Sequence, residues 1–173
     1  MEGGVKSMEI TNIDQLVKFV EAKVPIFIKF YMNQCGHCVT LKPTWDKVIV
    51  QAKEKHKGKK IAIVEVEAAV LTQDFLTNLQ KHVSNVKKVT GFPTIGTITY
   101  ANNKAIYKDH DKGREEKALM QTVDELAKQS GDKQSGGKQS GGKQSGAAKR
   151  TKRKRQTKRR QTKRKGQTKR KRH

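Results

Sequence analysis

The chain reads as an α/β domain, with a central mixed sheet of four to five strands covered by helices on both faces and a basic tail behind it. Three observations carry that reading. β-rich runs alternate with segments of helical periodicity through the first 128 residues. Large apolar residues stop there, since positions 129–173 hold no Val, Leu, Ile, Met, Phe, Tyr or Trp. Charge is divided at the same place: 19 of the 39 Lys and Arg but only one of the 16 acids, Asp132, lie in 129–173, which therefore carry +18 of the net +23.

The elements follow in order. Thr11 or Asn12 caps a helix to about Lys23, with Ile13, Leu16, Val17 and Val20 on one face. Pro25 opens Ile26 to Tyr31, a run that suits a buried central strand. From Gly36, the residues Leu41, Trp45, Val48, Ile49 and Ala52 repeat with helical period, predicting a long helix to about Lys57, bent at Pro43, which lacks a backbone N–H. After Gly58 comes a second strand, Ile61 to Val66. Thr72 caps a helix through Phe75, Leu76, Leu79 and Val83. A third strand, Ile95 to Tyr100, turns at Asn102-Asn103 into a fourth at Lys104 to Tyr107, because Asn tolerates positive φ. The last helix, Arg114 to Lys128, buries Leu119, Val123 and Leu126. Strands separated by helices run parallel and the hairpin adds antiparallel ones, hence a mixed sheet.

The organisation is then a folded domain at 1–128, a flexible linker at 129–148 and a basic tail at 149–173. In the linker Lys-Gln-Ser-Gly recurs at Lys133, Lys138 and Lys143; in the tail Thr-Lys-Arg recurs at Thr151, Thr157, Thr162 and Thr168. Neither unit has an apolar face to stack, so a folded repeat is excluded and disorder is expected. The first residues contain no apolar run after a basic start, which argues against a signal peptide. The longest apolar run, Val24 to Tyr31, is broken by Pro25 and Lys29 and is too short to span a bilayer. The last residues, Lys-Arg-Lys-Arg-His, are not an endoplasmic reticulum retention signal. Two cysteines are too few for a disulfide-stapled secreted fold. The expected setting is the cytoplasm, the nucleus or a particle assembled there.

The two cysteines form Cys35-Gly36-His37-Cys38, between a strand and a helix. At a helix N-terminus, unpaired N–H groups and the helix dipole favour thiolate over thiol. Cys35 is expected to be the exposed, attacking sulfur, and Cys38, one turn in, the buried sulfur that resolves the mixed disulfide; together they would close a redox-active disulfide. His37, when protonated, adds positive charge beside Cys35, and Gly36 allows the tight turn. The competing reading is half of a zinc site, which needs two more ligands. His37, His56, His82 and His110 show no paired spacing, and there is no second cysteine pair. The flanking strand and helix favour the redox pair, with no metal and no cofactor required.

The run Lys29 to Cys38, followed by Leu41, Pro43 and Trp45, resembles the active-site segment of the thioredoxin superfamily, and its Cys-Gly-His-Cys centre resembles that of catalytic domains in protein disulfide isomerases. Gly91-Phe92-Pro93-Thr94 is similar to the family's cis-proline loop, and Gly113-Arg114-Glu115 to the segment that carries a mobile arginine in disulfide isomerase domains. The resemblance covers Lys6 to Lys128. It implies a thioredoxin-like fold, with Pro93 packed beside the cysteines, the Phe92 backbone pairing with substrate peptide, and Arg114 tuning Cys38. Two positions depart from the pattern. Gln34 stands where Trp is usual before the first cysteine, and Lys29 stands where a buried Asp or Glu is usual. Lys29 either stabilises a thiolate or points to solvent; the departure bears on turnover rather than on forming the disulfide.

The tail has one firm physical consequence, which is binding to polyanions by counterion release with little sequence preference. With no aromatic to stack on bases, sequence-specific RNA reading is not expected. Nucleic acid is the first partner to consider, nuclear import or another anionic surface the next. Two functions compete. One is a thiol–disulfide oxidoreductase acting on protein thiols and disulfides, recycled by a separate redox partner and tethered by its tail. The other is a packaging or nucleic-acid-associated protein that uses the domain as a scaffold with little redox turnover. A virion of a large DNA virus is a setting that accommodates both, by analogy.

Overall fold

The computed structural model describes residues 3–130; the tail at 149–173 and all but the first two residues of the linker lie outside the described residues. The chain order is β1 (Gly4–Ile10), α1 (Ile13–Glu21), β2 (Ile26–Tyr31), α2 (Gly36–Lys55), β3 (Lys60–Glu67), α3 (Gln73–His82), β4 (Val83–Ser84), β5 (Thr94–Ala101), β6 (Lys104–Asp109) and α4 (Glu116–Gln129). The strands form one sheet in the order β1-β3-β2-β5-β6-β4. β1 and β2 both run parallel to β3, β5 runs antiparallel to β2 and β6, and β4 runs parallel to β6.

The mixed α/β architecture matches the expectation, with six strands instead of four or five. Sequence pattern missed β1 because Gly-Val-Lys-Ser-Met-Glu-Ile buries only Ile10 fully. An edge strand needs one neighbour and tolerates polar residues on its free side, so it leaves no clean alternation to read. Val83, expected inside the third helix, is instead its C-cap and the first residue of β4. Its side chain is buried either way, and a two-residue strand has no period to read. The first and last helices are also shorter than expected, ending at Glu21 and beginning at Glu116.

The caps set the helix starts. Asn12 accepts from the Gln15 backbone N–H at 3.1 Å, and the Gln15 side chain accepts from the Thr11 N–H at 2.8 Å, so each end of the box satisfies a donor that the helix leaves free. Thr72 caps α3 by accepting from the Phe75 N–H at 3.1 Å. Asn102 and Asn103 take φ of 50° and 63°, the backbone a tight hairpin between β5 and β6 requires.

Alternation along β2 divides the core. Ile26, Ile28 and Phe30 face α1 and α3, while Phe27 joins Leu41, Trp45 and Val48 of α2 and Leu119 and Val123 of α4 on the other face. Trp45 is fully buried and packs on Phe27 with ring centroids 4.8 Å apart. Removing such a ring costs about 3–5 kcal/mol in typical cores. This contact holds α2 against the centre of the sheet and so sets where its first turn, with the cysteines, comes to rest.

α2 and α4 are also joined through Asp124, which accepts from Lys55 Nζ at 2.8 Å and lies 2.8 Å from His56 Nε2. Burial pushes the Asp124 carboxyl up, but the bonds to Lys55 and His56 outweigh it and hold the group below its ordinary value. The clamp therefore stabilises the fold above the usual carboxylate pKa and is lost as pH falls through the lowered folded value. Asp124→Asn is expected to lower stability by about 1 kcal/mol at neutral pH. In urea titrations the gap between the two proteins should close in strong acid.

Candidate active site

The expected cysteine pair sits at the carboxyl end of β2, on the first turn of α2. Cys35 is the N-cap of α2, and its sulfur accepts from the Cys38 backbone N–H at 3.4 Å. Cys35 is half-buried and Cys38 is buried; both are free thiols. The two sulfurs differ in how readily they ionise. The Cys38 thiol, as a hydrogen-bond donor, does most to draw the Cys35 thiol down from its ordinary value. Burial opposes this, while the N–H groups of Cys38 and His37 and the charge of Arg114 add to it. Cys38 moves the other way: burial first, then its bond to Cys35, pushes it up, with the Met32 backbone and the charge of Lys29 pulling back. The half-buried sulfur thus ionises more readily than an ordinary thiol and the buried one less readily.

The remaining site residues divide into those the fold brings to Cys35 and those it does not. The Phe92-Pro93 peptide is cis, and the Phe92 carbonyl accepts from the Cys35 thiol at 3.3 Å. Arg114 donates to the Pro93 carbonyl at 3.0 Å, which brings a guanidinium to the same loop. Gly113 makes this approach possible with φ of 102°, a backbone that a side chain would strain, and its carbonyl lies 2.6 Å from His110 Nε2. A groove of about 430 Å³ opens between this turn and Pro93, lined also by Lys88, Thr90 and His110.

His37 reaches Cys35 through its backbone N–H rather than through a bond from its imidazole. Gly36 lies outside the left-handed region, with nothing within 4 Å of the place a Cβ would take. Neither a left-handed backbone nor a close neighbour requires glycine at this position.

Lys29 does not point to solvent. It lies on the α2 face of β2, its side chain 3% exposed, with Nζ 4.8 Å from the Trp45 ring centroid and 5.4 Å from that of Tyr31. There it forms an ion pair with Glu65, its register partner on β3. Glu65 escaped the sequence reading. The signal available was an acid directly after four apolar residues of a strand, but which strand would lie beside β2, and in which register, is a tertiary fact. Among the described residues, no group of three or more His, Cys, Asp or Glu side chains stands close enough to hold a metal ion. His56 and His110 are instead engaged with Asp124 and with Gly113 and Thr122.

The Thioredoxin family model matches residues 5–125. The chain belongs to the thioredoxin family. Protein disulfide-isomerase A4 of Mus musculus is 31% identical over 127 residues, 73% of this chain and 18% of that protein. A Thioredoxin domain-containing protein 5 homolog of Drosophila melanogaster is 35% identical over 87 residues, 50% of this chain and 18% of that protein. The chain thus spans about a fifth of the length of these relatives. The solution structure of the first thioredoxin domain of mouse Protein disulfide-isomerase A4 superposes with a TM-score of 0.52 at 21% identity, covering 77% of this chain and 86% of that domain, which shows the shared fold.

The asymmetry between the sulfurs is directly measurable. Alkylation of Cys35 by iodoacetamide is expected to rise with pH through a midpoint below the ordinary thiol value of about 8.5. Arg114→Met should move that midpoint upward, because it removes a cation that favours the thiolate. An unchanged midpoint would show that the guanidinium does not act on Cys35.

Proposed function

We propose that this domain is a protein thiol–disulfide oxidoreductase of the disulfide-isomerase kind. The observation that carries the reading is the opposite displacement of the two thiols, Cys35 down and Cys38 up, on one helical turn facing the Phe92-Pro93 loop. Membership of the thioredoxin family and the likeness to protein disulfide isomerases support the same chemistry.

The steps follow from the placement of the sulfurs. The Cys35 thiolate attacks one sulfur of a substrate disulfide; a Cys35–substrate bond forms, the substrate S–S bond breaks and its other sulfur leaves as thiolate. Cys38 then loses its proton and attacks the Cys35 sulfur, closing the Cys35–Cys38 disulfide and releasing the second substrate thiolate. Run backwards, the same steps donate a disulfide to a protein dithiol. The carbonyl of Phe92 and the turn at Pro93 offer an edge to which an extended substrate backbone can pair beside Cys35. A separate redox partner resets the pair. His37 and Gly36 act as the near neighbours of Cys35, and Arg114 and Lys29 as the charges that tune the two sulfurs.

The tail supplies a second, independent property. Its +16 over 149–173, part of the +18 carried by 129–173, tethers the domain to nucleic acid or another polyanion, in the cytoplasm, the nucleus or a virion. Among the described residues no helix is long and apolar enough to cross a membrane.

Two outcomes are expected. Cys35→Ser abolishes disulfide exchange with a model peptide, while Cys38→Ser accumulates the Cys35–substrate mixed disulfide; exchange retained in Cys35→Ser would overturn the reading. Equilibration with glutathione buffers then assigns the direction of use: a potential near −270 mV marks a reductant, and one near −180 mV a disulfide donor or isomerase. For the tail, removing 129–173 should abolish binding to duplex DNA, and the binding of the full chain should fall steeply with salt. The truncated chain should keep the potential of the pair.

A further inference from the structure

A cavity of about 280 Å³ lies against Cys38, and its walls include Glu9 of β1, Lys29 and Tyr31 of β2, Glu65 of β3, and Cys38 and Lys42 of α2. None of its charged groups takes part in bond making or breaking in the exchange steps above. Lys29 is the unusual member. Taking an ammonium out of water carries a desolvation cost that an apolar side chain does not. The pairing is also uneven: the Lys29 side chain is 3% exposed and that of Glu65 21%. Water screens the carboxylate more than the ammonium, so the pair leaves a positive field on its inner side.

The other charged and titratable groups here are already engaged. Glu9 accepts from the Tyr31 hydroxyl at 2.6 Å, and burial together with Glu9, Glu65 and Glu67 holds Tyr31 in its protonated form well above the ordinary phenol value. Lys42 is exposed and pairs with Asp46 at 3.2 Å. Cys35, across the helical turn, is the remaining group and opposes ionisation of Cys38 when it is itself a thiolate. The cation left to act on the Cys38 sulfur from inside the cavity is Lys29.

We propose that Lys29, held by Glu65 at the wall of this cavity, is a positioning charge for the resolving step, stabilising the Cys38 thiolate as it forms. The inference rests on the exchange chemistry proposed for the pair. Once Cys35 is bonded to substrate, the Cys38 S–H bond breaks and its proton passes to water in the cavity. The sulfur keeps the electron pair beside the Lys29 ammonium, then uses it to bond to Cys35 as the substrate thiolate departs. In the reverse direction Cys38 leaves as a thiolate into the same field. The proton needs no buried carboxylate at position 29, which is how a chain with lysine there can still resolve.

The test follows Cys38 itself in the full chain. The Cβ chemical shift of carbon-labelled Cys38 is titrated against pH in the wild type, Lys29→Met, Lys29→Arg and Glu65→Gln. Resolution of a preformed mixed disulfide is timed alongside. Lys29→Met is expected to move the Cys38 midpoint upward and to slow resolution about threefold to tenfold, the loss of one neighbouring charge partly offset by higher thiolate nucleophilicity. Lys29→Arg should restore both. Glu65→Gln should move the midpoint downward. A Cys38 midpoint unmoved in Lys29→Met would overturn the proposal. So would an upward shift with slower resolution in Glu65→Gln, which would make Glu65 the proton acceptor. Should Lys29→Met fail to fold, the exchanged pair Lys29→Glu with Glu65→Lys keeps the bridge and should still raise the midpoint. The Cys38 titration does not depend on turnover, so a wild type that forms no mixed disulfide would refute the exchange reading alone.

Discussion

The cysteine pair depends on one constraint, the crossover that carries the chain from β2 through α2 to the parallel strand β3. Parallel neighbours joined by a helix force that helix back across the sheet, so its first turn must begin at the carboxyl end of β2. Trp45 against Phe27 fixes the depth of α2 on the sheet. Cys35 at the N-cap and Cys38 one turn in are then placed without further choice: one at the rim, where N–H groups are free, the other against the sheet. The opposite displacement of the two thiols is a consequence of this placement and not of the residue type, since both are cysteine.

The same sheet decides what stands behind the pair. β2 lies between β3 and β5, so each of its side chains meets a partner chosen by register. On the α2 face that register sets Lys29 beside Glu65, and the ion pair lines the cavity that reaches Cys38. On the other side of the site, the Gly113 turn brings Arg114 to the Pro93 carbonyl, so a second cation reaches the loop that faces Cys35. The two cysteines are thus served by different cations, one inside the cavity and one at the rim, which lets their affinities for a proton be set separately.

The sequence made most of the fold legible because its strong elements carry strong periods. The helical spacing of Leu41, Trp45 and Val48 and the apolar run of β2 are local signals, and the packing agrees with them. β1 was missed because an edge strand with polar residues has no local signature, and its pairing with β3 is paid in contacts between residues more than 50 positions apart. The spacing of Val83 suits a helix as well as a strand, because its burial fits either element. Likewise the residue type at Gly36 suggests a turn-maker, while its backbone is ordinary and a side chain there would meet open space.

By itself the sequence determined the class of fold and the place of the two cysteines at the start of a helix that follows a strand. Those follow from periodicity, from caps and from motifs whose meaning is local. The tertiary structure alone decided the direction of Lys29, its pairing with Glu65 and the approach of Arg114 to Pro93. Each joins residues that are distant in sequence, and which of them meet is set by strand order and register, which no single segment encodes.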